Sequence, residues 1–167
     1  APDKVYVIHH GVPAFQKKDR HLLKREYGFW GKELVTTFGL IGPGKGIEIG
    51  IRTLKELITQ HRNLMYLIVG RTHPMLVKHE GERYRGMLTD LVIKLGLQDN
   101  VRFVHRFLEP EELGDYLYMT DIYLSPYPQA DQAISGTLAY ALGCGRAIVS
   151  TPYLYAQEMV AQGQRGM

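Results

Sequence analysis

Four stretches of this sequence concentrate residue types that bind anions. The first is Gly39-Leu40-Ile41-Gly42-Pro43-Gly44-Lys45-Gly46. Gly39, Gly44 and Lys45 stand at the spacing of the pattern G-x-x-x-x-G-K-[ST], in which backbone N–H groups cradle phosphates and the lysine reaches the terminal ones. Gly46 occupies the place where that pattern needs a hydroxyl for magnesium, and no apolar run ending in Asp supplies a second magnesium ligand. Three readings stay open: a P-loop-like phosphohydrolase, a glycine turn with a solvated lysine, and a loop in which Lys45 and free amides hold a phosphate without a metal. The second stretch, Gly70-Arg71-Thr72-His73-Pro74, offers a guanidinium that forks onto phosphate or sugar oxygens, or simply lies at the surface. In the third, His105-Arg106-Phe107-Leu108, an aromatic face beside an arginine is what a nucleobase stacks on, although a loop phenylalanine is as readily packed. The fourth runs from Ser125 to Thr137. Ser135 is a natural helix N-cap, Gly136 and Thr137 would present bare N–H groups at that helix start, and a two-proline loop carries Asp131 and Gln132 toward the same spot.

Other chemistries are absent from the pattern. There is no G-x-S-x-G elbow, and the single Cys144, between Gly143 and Gly145, suits close packing better than nucleophilic attack. One cysteine excludes an internal disulfide and any Cys-pair zinc motif, and fits a reducing, cytoplasmic setting. The seven histidines include adjacent His9 and His10 but no metal-ligand spacing, so no metal is expected. With 20 basic and 17 acidic residues the net charge is +3, too small to argue for nucleic acid. The one basic run, Lys17, Lys18, Arg20, Lys24 and Arg25, is interrupted by Leu22 and Leu23 and predicts a short amphipathic helix with a solvated outer face. The apolar runs are too short to cross a bilayer.

The elements that must position these loops follow from periodicity. Short apolar runs predict strands at Lys4–Ile8, Leu34–Phe38, Leu64–Val69, Val101–Val104, Asp121–Ser125 and Ala147–Ser150. Between them, Ile47, Ile51, Leu54 and Ile58 recur at helical steps in 46–60, and Tyr84, Met87, Leu88, Leu91, Val92 and Leu95 do so in 80–95. Pro110 before Glu111 and Glu112 is a helix start, and 136–142 and 153–161 complete the set. The alternation predicts one α/β domain over residues 1–167, a three-layer Rossmann-like unit around a parallel sheet of about six strands. In such sheets a ligand sits beyond the carboxyl ends of the strands, where all four stretches fall. The chain opens Ala1-Pro2-Asp3 and stops at Gly166-Met167, which suggests a piece of something larger.

Taken in order, the loops resemble glycosyltransferase family four (group 1), in its C-terminal, nucleotide-sugar-binding half of the GT-B fold. Val7-Ile8-His9-His10-Gly11-Val12 is similar to the family's interdomain segment I-P-N/H-G-V, and Phe38-Gly39-Leu40 through Lys45-Gly46 to its G-R-L-x-x-x-K-G motif. Ala139–Thr151 resembles E-A-M-A-x-G-x-P-V-V-A-T, and Ser135–Ala141 resembles a divergent subgroup with S-G-T-L-A-Y-A. The resemblance covers nearly the whole chain. Leu40 stands at the family's phosphate-binding arginine, Lys45 retains its lysine, and the paired glutamates fall on Gln132 and Tyr140.

The resemblance implies metal-free, retaining transfer of a hexose from a nucleoside-diphosphate sugar to a saccharide or lipid-linked acceptor. Lys45, Asp131 and Gln132 would then serve the chemistry, Asp131 as a displaced acidic group. Gly39, Gly44, Gly46, Gly70, Arg71, Arg106, Phe107, Ser135, Gly136, Thr137 and Tyr140 would line the donor site, with Arg71 or Arg106 replacing the arginine lost at Leu40. The acceptor would belong to an N-terminal domain outside this chain, the last C-terminal helices would be truncated, the isolated chain would be inactive, and the full protein would be cytoplasmic or peripheral to a membrane. A binding module of the same fold that has lost catalysis is the alternative, beside the phosphohydrolase.

Overall fold

Strand β2, Leu64–Val69, is buried at every position, and the sheet is built outward from it. The computed structural model describes Lys4, Tyr6 and residues 8–160. Within them β1 (Glu33–Phe38), β2, β3 (Val101–Val104), β4 (Ile122–Ser125) and β5 (Ala147–Ser150) form one parallel sheet in the order β3-β2-β1-β4-β5. Such a sheet is covered on both faces, so an interior strand such as β2, between β3 and β1, reads as a continuous apolar run rather than an alternating one. Met65, Leu67 and Val69 face one core with Leu34, Phe38 and Tyr123, while Leu64, Tyr66 and Ile68 face the other. That alternation is the period-two geometry of a strand.

The helices are α1 (Arg20–Glu26), α2 (Ile47–Leu57), α3 (Pro74–Glu80), α4 (Arg83–Leu95), α5 (Pro110–Met119), α6 (Gly136–Gly143) and α7 (Leu154–Val160). The second core takes Ile47, Ile51 and Leu54 from α2 and Leu88, Leu91 and Val92 from α4. α5, α6 and α7 contribute Tyr116, Leu117, Leu138, Ala141, Tyr155 and Ala156 to the first. Among the described residues no helix is long and apolar enough to cross a membrane.

Several expectations change. The sheet has five strands among the described residues rather than about six; Lys4, Tyr6 and Ile8 are not in a strand, and Val5 and Val7 lie outside the description. The helix expected over 80–95 begins only at Arg83, because Gly81, at φ +61°, closes α3 and separates the two. Met87, assigned to its apolar face, is exposed. The last helix ends at Val160, and Ala161 lies outside the described residues.

The last concerns the basic run, in which Lys17 and Arg25 are exposed as expected but Lys18, Arg20 and Lys24 are drawn into ion pairs. Asp19 caps α1, accepting from the N–H groups of His21 and Leu22 at 2.8 and 2.9 Å. Lys24 then points inward, is buried, and donates to Asp121 and, at 2.8 Å, to the carbonyl of Lys32. Arg20 meets the same carboxylate at 3.0 Å, Leu34 N–H donates to it at 2.7 Å, and Lys18 pairs with Asp115 at 2.7 Å. Asp121 thus ties α1 to the start of both β1 and β4. A buried cation is tolerated only when paired, and removing the partner costs far more than the pair contributes. Asp121→Ala is expected to destabilise the fold by about 3 kcal/mol in urea unfolding, and Lys24→Met, which removes the buried charge instead, by clearly less.

Buried phenols set a second dependence. Burial holds the Tyr66 phenol well above its ordinary value and pushes Tyr153 up to about 12. Their folded forms keep protons that the unfolded chain releases near pH 10, so unfolding becomes easier only as pH rises above that value. The urea midpoint is expected to be insensitive to these groups below pH 10 and to fall between pH 10 and 12, with a shallower fall in Tyr66→Phe.

Candidate functional site

β1 and β2 run in register to the pair Phe38 and Val69, and the next residues, Gly39 and Gly70, are where both chains turn out of the sheet. Their φ angles are +116° and +132°, and a Cβ on Gly70 would stand 1.9 Å from the Gly39 carbonyl oxygen. Only glycine combines that dihedral with that approach. Buried Arg85 of α4 fixes the crossing from beneath, donating to the Gly70 carbonyl at 2.8 Å and to Thr72 Oγ1 at 3.3 Å. Beyond it the two loops stay paired: Ile41 N–H donates to Arg71 O, and His73 N–H to Ile41 O, both at 2.9 Å.

The first loop then makes a 3-10 turn over Pro43–Lys45 and enters α2 through Gly46, at φ +61°. A Cβ on Gly46 would lie 2.0 Å from the carbonyl oxygen of Pro126. No serine or threonine fits there, so the missing magnesium hydroxyl of the P-loop pattern is excluded by packing and the phosphohydrolase reading is withdrawn.

Lys45 leans toward the start of α6. Its Nζ donates to Tyr127 Oη at 2.9 Å and stands 4.9 Å from the centre of that ring. Glycine at 39 leaves the space they share, since a Cβ there would be 3.0 Å from Thr137 Cγ2 and 3.2 Å from Lys45 Nζ. Ser135 Oγ accepts from Leu138 N–H at 3.3 Å, closing the helix cap, and Thr137 Oγ1 accepts from Tyr123 Oη at 2.8 Å. Among the described residues no hydrogen bond takes up the N–H groups of Gly136 and Thr137. With the helix dipole, these groups make the corner attractive to an anion.

Beside this corner lies a cleft of about 460 Å³, lined by Gly39, Leu40, Gly70, Arg71, Arg106, Phe107, Tyr140 and, from below, Phe15, Phe38 and Leu113. It is mostly apolar. Phe107 is exposed, and the Arg71 guanidinium lies 5.7 Å from its ring centre. Tyr140 packs edge-on against Phe15 and His10 at centroid distances of 5.8 and 5.6 Å.

The remaining site candidates stand elsewhere. The Arg106 guanidinium grips both oxygens of Glu112, one at 2.5 Å, which also raises its pKa, so it lines the cleft with its charge already paired. A Cβ on Gly44 would meet nothing within 4 Å, and the residue borders a smaller hollow of about 220 Å³ with His73 and Leu76. Asp131 is exposed, and Gln132 turns its amide to the carbonyl of Ile134 at 2.7 Å. Their loop is pinned to the start of α7 by Leu154 N–H on Ala130 O and Tyr155 N–H on Gln132 O. Neither side chain bonds to Lys45, Ser135 or Thr137 among the described residues.

Tyr127, Tyr123, His10 and Arg85 were not foreseen. His10 Nε2 would lie 2.9 Å from a Cβ on Gly136, so that glycine admits the imidazole against the helix start. For Tyr127 a signal existed in the crowding of hydroxyls at Ser125, Tyr127, Ser135 and Thr137 within one strand-end loop; for Arg85 none existed beyond a charge beside the apolar Tyr84 and Leu88. Gly46→Ser, which completes the P-loop pattern in sequence, is expected to lower stability by at least about 2 kcal/mol and to bring no stabilisation by magnesium–ATP in a thermal-shift assay.

The chain matches the family described as Glycosyl transferases group 1 over residues 32–167. It is 22% identical over 152 residues to spore coat protein SA of Bacillus subtilis (strain 168), covering 90% of this chain and 38% of that protein. Among solved structures it is similar to Anabaena Alr3699/HepE in complex with UDP, at 20% identity and a TM-score of 0.77, over 89% of this chain and 38% of that one. It is also similar to WaaG, a glycosyltransferase involved in lipopolysaccharide biosynthesis, at 20% identity and a TM-score of 0.78, over 100% of this chain and 43% of that one. At these identities the structural likeness establishes the fold, that of GT-B glycosyltransferase domains. The chain spans about two fifths of the length of these relatives.

Proposed function

Since the chain belongs to the group 1 glycosyl transferases, we propose that it is the donor-binding half of an enzyme that moves a hexose from a nucleoside-diphosphate sugar to an acceptor. The observation that carries this reading is the meeting of the Lys45 ammonium with the Ser135–Thr137 helix start, beside an apolar cleft that ends in the open face of Phe107. The diphosphate belongs at the first and the base in the second. The UDP complex of the similar Anabaena protein supports a nucleotide ligand of this kind.

In the proposed reaction the bond from the anomeric carbon to the diphosphate oxygen breaks, and the negative charge gathers on the leaving nucleoside diphosphate. The acceptor oxygen bonds to that carbon, with retention, and its proton passes to the oxygen of the leaving diphosphate. Fixed donors aimed at the charge that develops are worth most in such a step because they need no reorganisation. Lys45 and the α6 N–H groups are those donors. Arg71, rather than Arg106, takes the place of the arginine lost at Leu40, because the charge of Arg106 is held by Glu112. Neither Asp131 nor Gln132 is given a part in the chemistry, since neither bonds into the Lys45 corner. The acceptor, a saccharide or a lipid-linked one, is held by a second domain, and this chain alone binds donor without turnover.

Titration calorimetry tests the reading with UDP, GDP and ADP on the chain as it stands. One of them is expected to bind, and Lys45→Ala to weaken it about tenfold or more, the loss of a charged hydrogen bond. Arg71→Ala is expected to cost several-fold and Arg106→Ala less than about twofold. Equal affinity in the parent and Lys45→Ala, or no binding of any of the three, overturns the assignment.

A further inference from the structure

Tyr127 has no part in the reading above, yet it stands at the centre of the hydrogen bonds of the Lys45 corner. Its Oη accepts from Lys45 Nζ at 2.9 Å and lies 3.3 Å from Ser135 Oγ and 3.2 Å from Thr137 Oγ1, which are themselves 3.2 Å apart. The three hydroxyls make a closed ring. Three donors feed it from outside: Lys45 into Tyr127, Tyr123 into Thr137, and Leu138 N–H into Ser135. Each ring oxygen has one proton to give and accepts one from outside and one from its neighbour. Among the described residues Tyr127 and Thr137 reach no acceptor outside the ring, and Ser135 stands beside the Tyr153 hydroxyl. More donors point into the ring than acceptors draw from it, so the partner it lacks is an acceptor. The distances within it are long for O–H···O bonds, which makes them the weak ones to exchange.

The phenol that anchors this ring is immobile. Tyr127 is buried, its ring stacks on Tyr153 at 4.9 Å and 20°, and its carbonyl accepts from Thr151 Oγ1 at 2.6 Å. Tyr153 is in turn hydrogen-bonded to Ser125 at 2.7 Å.

We propose that Tyr127 is a positioning residue, whose fixed phenol holds the Lys45 ammonium against the α6 N-terminus and closes a hydroxyl ring that opens to donate to the phosphate oxygens of the ligand. The inference rests on the phosphate assignment of Lys45 and goes beyond it by giving that lysine its anchor and the phosphate its neutral donors, the Ser135 and Thr137 hydroxyls. When an anion arrives, the ring bonds are replaced by shorter ones to its oxygens, and no side chain has to travel. The ionisable groups facing Tyr127 are Lys45 from the 3-10 turn, Tyr123 from β4 and Tyr153 from the segment before α7. Burial alone would raise the Tyr127 phenol, but the Lys45 charge, with hydrogen bonds from Lys45, Ser135 and Thr137, brings it below the ordinary value. Tyr123, without such a cation, is held far above it.

Two measurements on the chain test this. The first needs no ligand. In an alkaline absorbance titration of the folded protein one phenol is expected to ionise below the ordinary range; this early step disappears in Tyr127→Phe and moves upward in Lys45→Met. No early step in the parent, or an early step that survives in Tyr127→Phe, overturns the inference. The second is UDP affinity in a double-mutant cycle. Tyr127→Phe keeps the stacked ring and is expected to lose about tenfold in affinity, with Lys45→Ala and the double variant Lys45→Ala/Tyr127→Phe alike, because the two residues act as one unit. Loss in Lys45→Ala with parental affinity in Tyr127→Phe overturns the role of Tyr127 and leaves the phosphate assignment standing. Parental affinity in Lys45→Ala overturns the assignment, and this inference with it.

Discussion

Where β1 and β2 leave the sheet, the backbones of Gly39 and Gly70 cross so closely that a single methyl group on Gly70 would overlap the Gly39 carbonyl. The crossing continues the parallel ladder, with Gly39 N–H on Val69 O at 3.0 Å and Gly70 N–H on Val104 O at 2.9 Å. Everything at the edge is placed from it. One side sets Leu40 and Arg71 on the rim of the cleft; the other leaves the gap in which Lys45 and Thr137 meet. Arg85 locks the crossing from the second core, so the site's backbone is fixed by the same sheet and helix packing that folds the domain.

The distribution of positive charge follows a consistent division of labour. Lys18, Arg20 and Lys24 are consumed by Asp115 and Asp121, and Arg106 by Glu112. Arg85 donates to the Gly70 carbonyl and the Thr72 hydroxyl, and Arg146 to the carbonyls of Tyr118, Thr120 and Cys144. These cations hold structure. At the strand-end edge the lysine meets a phenol, and Arg71 an aromatic face, neither of which neutralises charge. A small net charge therefore conceals a local excess of donors, and the excess stands where the sheet's geometry presents a ligand.

All five strands were legible in the sequence to within one residue because a buried parallel strand must be a short apolar run, and each of these runs ends in a glycine or polar turn. α2 and α5 were legible for the same kind of reason, the first from its apolar period and the second from Pro110 with two carboxylates at its positive end. The break between α3 and α4 was hidden because Gly81 resembles any tolerated helix glycine until its φ is known. The reversal of Lys24 was hidden too. Whether a lysine on a short helix faces water or a carboxylate depends on Asp121, ninety-seven positions away.

The site divides along the same line. Residue type and order alone determined that anion-binding groups occur after successive strands, that Gly46 departs from a magnesium site, and that nearly the whole chain resembles one family. Those are properties of local chemistry and spacing. Which groups share a point in space was decided only by the tertiary structure: Lys45 joined Tyr127, Ser135 and Thr137, Arg106 was taken by Glu112, and Asp131 and Gln132 turned away toward α7. The physical reason is that hydrogen bonds and ion pairs depend on distances of about 3 Å, and those distances are set by how a sheet brings together loops that the sequence holds far apart.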